Sequence, residues 1–433
     1  MLALAANCFI HNGLPLALAG EFHLHQFCTT LNLNCTGYGK KTQANKINAA
    51  SCPLSIGQQP EGLAEASVQL QPSGAFEQPA AGWNSWKMAG VAGQKVEIYF
   101  LNRAMNKTIR WGIIGCGDVT EVKSGPGFQK AGGSALVAVM RRDAARAEDY
   151  ARRHDVPRWY ADADALIADR EVDAVYIATP PSTHKQLVLK VARAGKPVLV
   201  EKPMALSAEE CEAMIAACRQ AGVPLRVAYY RRKLPRFEKM REIIQSGVIG
   251  EPRAVAARQF KKLAARPAQD WKVDSAINGG GLFVDMQTHA LDWLHHVFGR
   301  VRETGGVAVN AARIYGAEDT VSYSLLFENG VVAGGLFAYS IAREEESVTV
   351  YGSEGEVSMG FFRPSEVRLV RGGAEETFQL PDPPHVHQPL IQAFVNELNG
   401  GPALDSTGET ALETARVVDE ILRNYRAVPP VPA

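Results

Sequence analysis

The chain of 433 residues carries 46 basic and 46 acidic side chains, a formal net charge of zero. That balance excludes nucleic acid or another strongly charged surface as the principal partner. With 46% hydrophobic and 21% charged residues, collagen-like, coiled-coil and wholly disordered chains are excluded too. At roughly 100–200 residues per domain, the length suits two or three domains, each with its own core.

Residues 1–104 hold 6 Lys/Arg, 5 Glu and no Asp, so most of the charge lies beyond them. Four of the seven cysteines, Cys8, Cys28, Cys35 and Cys52, fall here, without a CxxC pair or a Cys/His zinc spacing. The first twenty residues are uncharged, but no basic residue precedes the apolar stretch, and His11 and Pro15 interrupt it, so the signal-peptide reading is weak. No window reaches the ~18–20 uninterrupted apolar residues of a membrane span. Residues 1–105 are expected to be a low-charge extension, disordered or the product of an upstream start-codon assignment, with ordered sequence beginning after Met105. Cys211 and Cys218 lie seven apart on one expected helix, a core spacing, and a reducing, cytoplasmic setting is the expectation.

Ile109–Ile114 is an apolar run leading into Gly115-Cys116-Gly117-Asp118-Val119-Thr120. A strand ending in GxG and opening a helix lets the backbone approach a pyrophosphate. By itself the motif is weak, and Thr120 stands where the third glycine usually does. Further strands follow at 135–140, 173–178 and 197–200, alternating with helical stretches such as 144–154. That alternation predicts an α/β, Rossmann-type doubly wound parallel sheet over residues 106–226. Ligands of such sheets bind beyond the carboxyl ends of the strands, where the glycine turn, Thr179-Pro180-Pro181 and Glu201-Lys202-Pro203 all fall. The second strand leads into Arg141 and Arg142, with Arg146 one turn on. Guanidinium groups match a 2′-phosphate, whereas NAD sites usually place a carboxylate there. NADP(H) is therefore favoured over NAD(H), although a solvated basic loop beside Asp143 gives the same pattern.

These residues resemble the Gfo/Idh/MocA oxidoreductases, which include glucose-fructose oxidoreductase and inositol dehydrogenase. The resemblance runs from about Ile109 to the C-terminal helices and rests on four ordered motifs: Gly115-Cys-Gly117, Ala178-Thr-Pro-Pro-Ser-Thr-His184, Glu201-Lys202-Pro203, and Gly279-Gly-Gly281-x3-Asp285-x3-His289. It implies hydride transfer between NAD(P) and a secondary alcohol or ketone of a sugar, cyclitol or related polyol. Lys202 would then be nearest the reacting carbon, with Asp285 and His289 in the same pocket. Thr120 in the third fingerprint position, and Arg141 where many members carry Asp, depart from the commonest pattern.

Removing a hydride from an alcohol needs a base for the hydroxyl proton, and reducing a carbonyl needs an acid. Lysine serves either role if burial or a neighbouring positive charge brings its pKa toward the working pH. Asp285 and His289 share one face of a helix beginning near Leu282, and Asp292 and His296 continue the stripe. A solvated polar face and a zinc site fit that spacing as well. The glycine triplet favours a ligand-facing helix start, with both residues orienting substrate and no metal. Tyr230 and Arg231 are further substrate-binding candidates, a domain-linking strand with a basic turn being the alternative. His184 and Glu201 complete the cofactor-binding set, while His385 and His387 carry no clear signal.

Beyond about residue 226 short strands separated by turns predict an α+β domain over 227–433, with a large mixed or antiparallel open sheet. Strands are expected at 255–261, 321–327, 331–339, 347–351, 356–360 and 367–370, and the last helices are expected to pack back on the first domain. An open sheet face needs covering, so a homodimer or homotetramer through it is expected. The whole reads as an NAD(P)-dependent dehydrogenase or reductase. Its rivals are a non-catalytic nucleotide-binding sensor and an NAD-dependent glycoside hydrolase on the same fold.

Overall fold

The computed structural model describes residues 107–262 and 270–427. In the first 106 residues only short runs of strand backbone are described, and the expectations for that segment, its four cysteines included, otherwise lie outside the described residues.

Six parallel strands form the first sheet: β1 (Ile109–Ile114), β2 (Ser134–Met140), β3 (Arg158–Tyr160), β4 (Ala174–Ile177), β5 (Val198–Val200) and β6 (Leu225–Val227). Their spatial order is 6-5-4-1-2-3. β4 and β5 are buried at every residue, because helices cover both faces and the strands need continuous apolar runs rather than alternation. Trp111 in β1 is fully buried, its ring 4.9 Å from Phe128 and 5.7 Å from Phe394. The helix Ala144–Arg153 starts where Asp143 accepts the Arg146 amide, and Ala208–Ala221 starts at Ser207 and ends on left-handed Gly222.

The second sheet has eight strands: β7 (Pro252–Phe260), β8 (Val301–Val309), β9 (Thr320–Phe327), β10 (Val332–Ala338), β11 (Glu345–Gly352), β12 (Gly355–Met359), β13 (Val367–Arg371) and β14 (Ala374–Phe378). Their order is 8-9-10-7-11-12-13-14. Only the β7–β10 pair is parallel, so the sheet is mixed, as the sequence suggested. In β9, buried Val321, Tyr323, Leu325 and Phe327 alternate with more exposed neighbours, giving the sheet one buried and one open face. The expected strands agree with β7 and β9–β13 within a few residues. β3, β8 and β14 were not expected. β8 (VRETGGVAV) has central glycines, β14 (AEETF) is almost wholly exposed, and all three are sheet edges, where neither period nor apolar content marks a strand.

The 17-residue helix Leu282–Phe298 carries thirteen buried residues. Near the C-terminus, the helix Gly408–Ile421 contacts Ala208–Ala221 of the first sheet's layer. The outer edge of β6 is closed by later chain: the Val227 amide donates to the Ser406 carbonyl at 3.0 Å, and Ser406 Oγ donates back to the Val227 carbonyl at 2.7 Å. No helix among the described residues is long and apolar enough to cross a membrane.

Candidate active site

The glycine turn sits at the carboxyl end of β1. Gly115 has φ of +95°, and a Cβ there would lie 2.7 Å from Thr179 Cγ2 and 3.0 Å from the Ala178 carbonyl. Only glycine fits that conformation against the β4 loop without strain. At Gly117 a Cβ would meet nothing nearer than 3.9 Å, so this backbone is open to a ligand. Thr120 is fully buried; its hydroxyl receives the Gly117 amide at 2.9 Å and donates to the Gly117 carbonyl at 2.8 Å. The close approach usually attributed to the third glycine is made further on, by Gly125, whose Cβ would collide with the Thr120 carbonyl and the Tyr150 hydroxyl. These are the features expected of a dinucleotide cradle, and the residues present fit a nicotinamide cofactor. Cys116 is buried, which pushes its thiol up to about 11.

At the end of β2, Arg141 Nη1 reaches the Cys116 carbonyl at 3.2 Å, beside the turn. Arg142 and Arg146 are exposed, and Arg146 lies 3.5 Å from Asp143. The Thr179–Pro181 loop follows β4, Thr183 Oγ1 donating to Thr179 Oγ1 and to the Pro180 carbonyl. His184 is fully buried; its Nε2 lies 2.8 Å from the Thr179 carbonyl and its Nδ1 3.1 Å from the Pro203 and Met204 carbonyls. It ties the loop after β4 to the loop after β5.

Lys202 follows β5, with the Lys202–Pro203 bond cis. Its Nζ donates to Asp285 twice, at 2.6 Å to the backbone carbonyl and 3.0 Å to Oδ1. Burial works against the ammonium, but the Asp285 and Glu201 carboxylates outweigh it and hold the lysine above its ordinary value. The lowered pKa contemplated from sequence is therefore not what the protein groups produce. His289, one turn after Asp285, is 4% exposed, with Tyr229 and Tyr230 meeting its ring edge-on at 5.8 and 5.1 Å. Burial, Lys202 and Arg231 hold it well below the usual histidine range, hence neutral. Its buried Nδ1 has no hydrogen-bond partner among the described residues.

A solvated polar stripe does not describe this helix: Asp285, His289 and Asp292 are all buried. Asp292 instead receives Arg232 in a two-pronged pair at 2.6 and 2.8 Å, and His296 lies 3.7 Å from Asp405. Among the described residues no group of three or more His, Cys, Asp or Glu could hold a metal ion. Arg231 is enclosed by the rings of Tyr230, Phe237, Phe361 and Phe362, and donates to the Phe361 carbonyl at 2.9 Å.

One contact of the Glu201 side chain, that with His387, carried no sequence signal. Glu201, behind Lys202, receives the Tyr176 hydroxyl at 2.5 Å and His387 Nε2 at 2.9 Å. Burial opposes its charge, but the bond from His387 does most to offset it, and with Lys202 and the Tyr176 hydroxyl it holds the carboxyl down to about 2. His387 comes from a Pro-rich loop with no motif around it, and only the tertiary fold brings it here.

Residues 109–229 match the model of the oxidoreductase family with NAD-binding Rossmann fold, and 237–358 match the GFO/IDH/MocA C-terminal domain. Oxidoreductase P35 of Formosa agariphila is 38% identical over 295 residues, spanning 67% of this chain and 91% of that protein. The chain belongs to the Gfo/Idh/MocA oxidoreductases. Within the same comparison, 1,5-anhydro-D-fructose reductase of Ensifer adhaerens is 31% identical over 307 residues, 69% of this chain and 91% of that one. Aldose–aldose oxidoreductase of Caulobacter crescentus, solved with glycerol, is 26% identical with a TM-score of 0.68, covering 76% of this chain and all of that one. A Gfo/Idh/MocA enzyme is an NAD(P)-dependent oxidoreductase, and this chain has that family's paired architecture of a parallel nucleotide-binding sheet and a mixed second sheet.

Proposed function

We propose that the protein reduces the carbonyl of a sugar-derived or related polyol substrate, with Lys202 as the proton donor. The observation carrying this reading is the Lys202–Asp285 pair: an amine held above its ordinary value is an ammonium at neutral pH, suited to protonating an oxygen that gains negative charge. A nicotinamide cofactor held by the glycine turn would supply the hydride. Lys202 gives its proton to the substrate oxygen, while Asp285 fixes the direction of the ammonium. His289, neutral, offers Nδ1 as an acceptor for a neighbouring hydroxyl, and Tyr230 packs beside it. The reductase of Ensifer adhaerens and the aldose-acting enzyme of Caulobacter crescentus support a polyhydroxylated substrate.

Gly115, Gly117 and the Thr179–Pro181 loop hold the cofactor, and Arg141, braced on the turn at Cys116, favours NADPH through its 2′-phosphate. Arg142 and Arg146, both exposed beside it, reinforce it, Arg146 by turning from its surface pair with Asp143. The molecule assembles as a homodimer through the open face of the second sheet, where Val307, Val332, Leu336 and Tyr351 are exposed.

The test uses NADPH and NADH titrations of the full chain by tryptophan fluorescence, then turnover with 1,5-anhydro-D-fructose as the first probe. Lys202→Met is expected to leave NADPH binding intact and lower turnover by about 10²–10⁴-fold. Arg141→Asp is expected to weaken NADPH and spare NADH. Full turnover in Lys202→Met would remove the lysine from the chemistry.

A further inference from the structure

Three donors converge on Glu201, which is only 7% exposed: Tyr176 and His387 on Oε1, and the Lys202 amide on Oε2 at 3.2 Å. A carboxylate only accepts, so His387 carries its proton on Nε2. His387 is itself 1% exposed, and its Nδ1 has no partner among the described residues. Its ring packs on Tyr230 at 4.3 Å, and Tyr230 in turn meets His289 at 5.1 Å. Its backbone amide donates to the Lys123 carbonyl at 3.3 Å, just after the short helix Asp118–Val122 that follows the glycine turn. One side chain, 186 positions from Glu201 in sequence, thus touches the support of Lys202 and the wall of the substrate site.

We propose that His387 is a positioning residue for Lys202, acting through Glu201 to hold the lysine's backbone and the negative charge behind it. The catalytic meaning of this role rests on Lys202 being the proton donor. A buried pair of this kind is a poor device for stability alone, since apolar residues of similar volume commonly serve as well. Its effect is electrostatic. Lys202 faces Asp285, Glu201, Tyr230 and His289. Glu201 faces His387, Lys202, Tyr176 and His184. Without the His387 donor, Glu201 retains Tyr176 and the Lys202 amide but loses the hydrogen bond that does most to offset its burial, so its carboxyl takes up a proton more readily. Glu201 stays ionised at the pH where Lys202 titrates, so what Lys202 loses is the fixed placement of that carboxylate and, through its own backbone, its seating on Asp285; a looser pair holds the ammonium less, and the amine deprotonates at a lower pH.

Competitive labelling of the full chain with acetic anhydride, read by mass spectrometry across pH, reports the Lys202 amine without substrate or cofactor. His387→Met is expected to move the Lys202 labelling midpoint down by roughly one pH unit. His387→Gln keeps a donor to Glu201 and is expected to restore it. An unmoved midpoint in His387→Met, or a Gln variant shifted as far as the Met variant, overturns the proposal. Should the Met variant fail to fold, the wild-type imidazole decides: an Nε2–H tautomer in nitrogen NMR supports the role, and an Nδ1–H tautomer ends it. Because labelling reads the amine itself, failure here is distinguishable from failure of Lys202 as proton donor, which full turnover in Lys202→Met would reveal.

Discussion

Burial alone would make Lys202 a weak base; two carboxylates reverse that outcome. Asp285 supplies both a backbone and a side-chain acceptor, so Asp285→Asn leaves the carbonyl bond in place and removes only the charge. The Lys202 pKa then falls. A reduction that needs the ammonium is present below that pKa and lost above it, so the alkaline limb of kcat/KM is expected to move to lower pH by roughly one to two units. A pH–rate profile checks this, and an unmoved limb would show that the limb belongs to another group. At this scale the sequence was informative where chemistry and motif coincide. Lys202 stood out after a buried strand, and Asp285 and His289 by their spacing behind a glycine triplet. His387 did not, because its role depends on Glu201, a residue nearly two hundred positions earlier.

Among the elements, the start of the helix Leu282–Phe298 stores a pH dependence. Glu318 is 1% exposed and accepts the Gly281 amide at 2.7 Å, and burial pushes its carboxyl up to about 7 from 4.5. The folded chain therefore binds a proton that the unfolded chain has released between those values, so this contribution is full below 4.5 and is lost as pH rises through 7. The size is about 3 kcal/mol. Asp292, raised to about 6, acts with the same sign, so comparison of variant and wild type is needed to isolate Glu318. Glu318→Gln is expected to flatten the decline in stability between pH 4.5 and 8, measured by denaturant unfolding at several pH values. Equal slopes would place the proton elsewhere. Element by element, the parallel strands were legible because burial on both faces demands unbroken apolar runs. The edge strands β3, β8 and β14 were not, since an exposed edge imposes no such demand.

For the molecule as a whole, the open face of the second sheet is the feature awaiting a partner. Val307 pairs with Ser322, Ser322 with Leu336, and Leu336 with Arg258, one row across four strands. Small side chains at Ser322, Ser324 and Gly334 lie between larger apolar ones. In the proposed dimer this face meets its own copy about a two-fold axis. Leu336→Glu is expected to convert a dimer to a monomer in light scattering at micromolar concentration, with nucleotide affinity retained. A monomer in the wild type would remove this assembly. The two-sheet plan was readable from alternation of strands and helices in one half and turn-linked strands in the other.

The closure of β6 by Ser406 bears on how the protein comes into being. Synthesis delivers the nucleotide-binding strands first, yet the last of them keeps an unpaired edge until some 180 further residues have been made. The first sheet is thus still unfinished while the second is being made. Messages cut short before residue 406 should yield chains that adhere through this edge rather than small working enzymes.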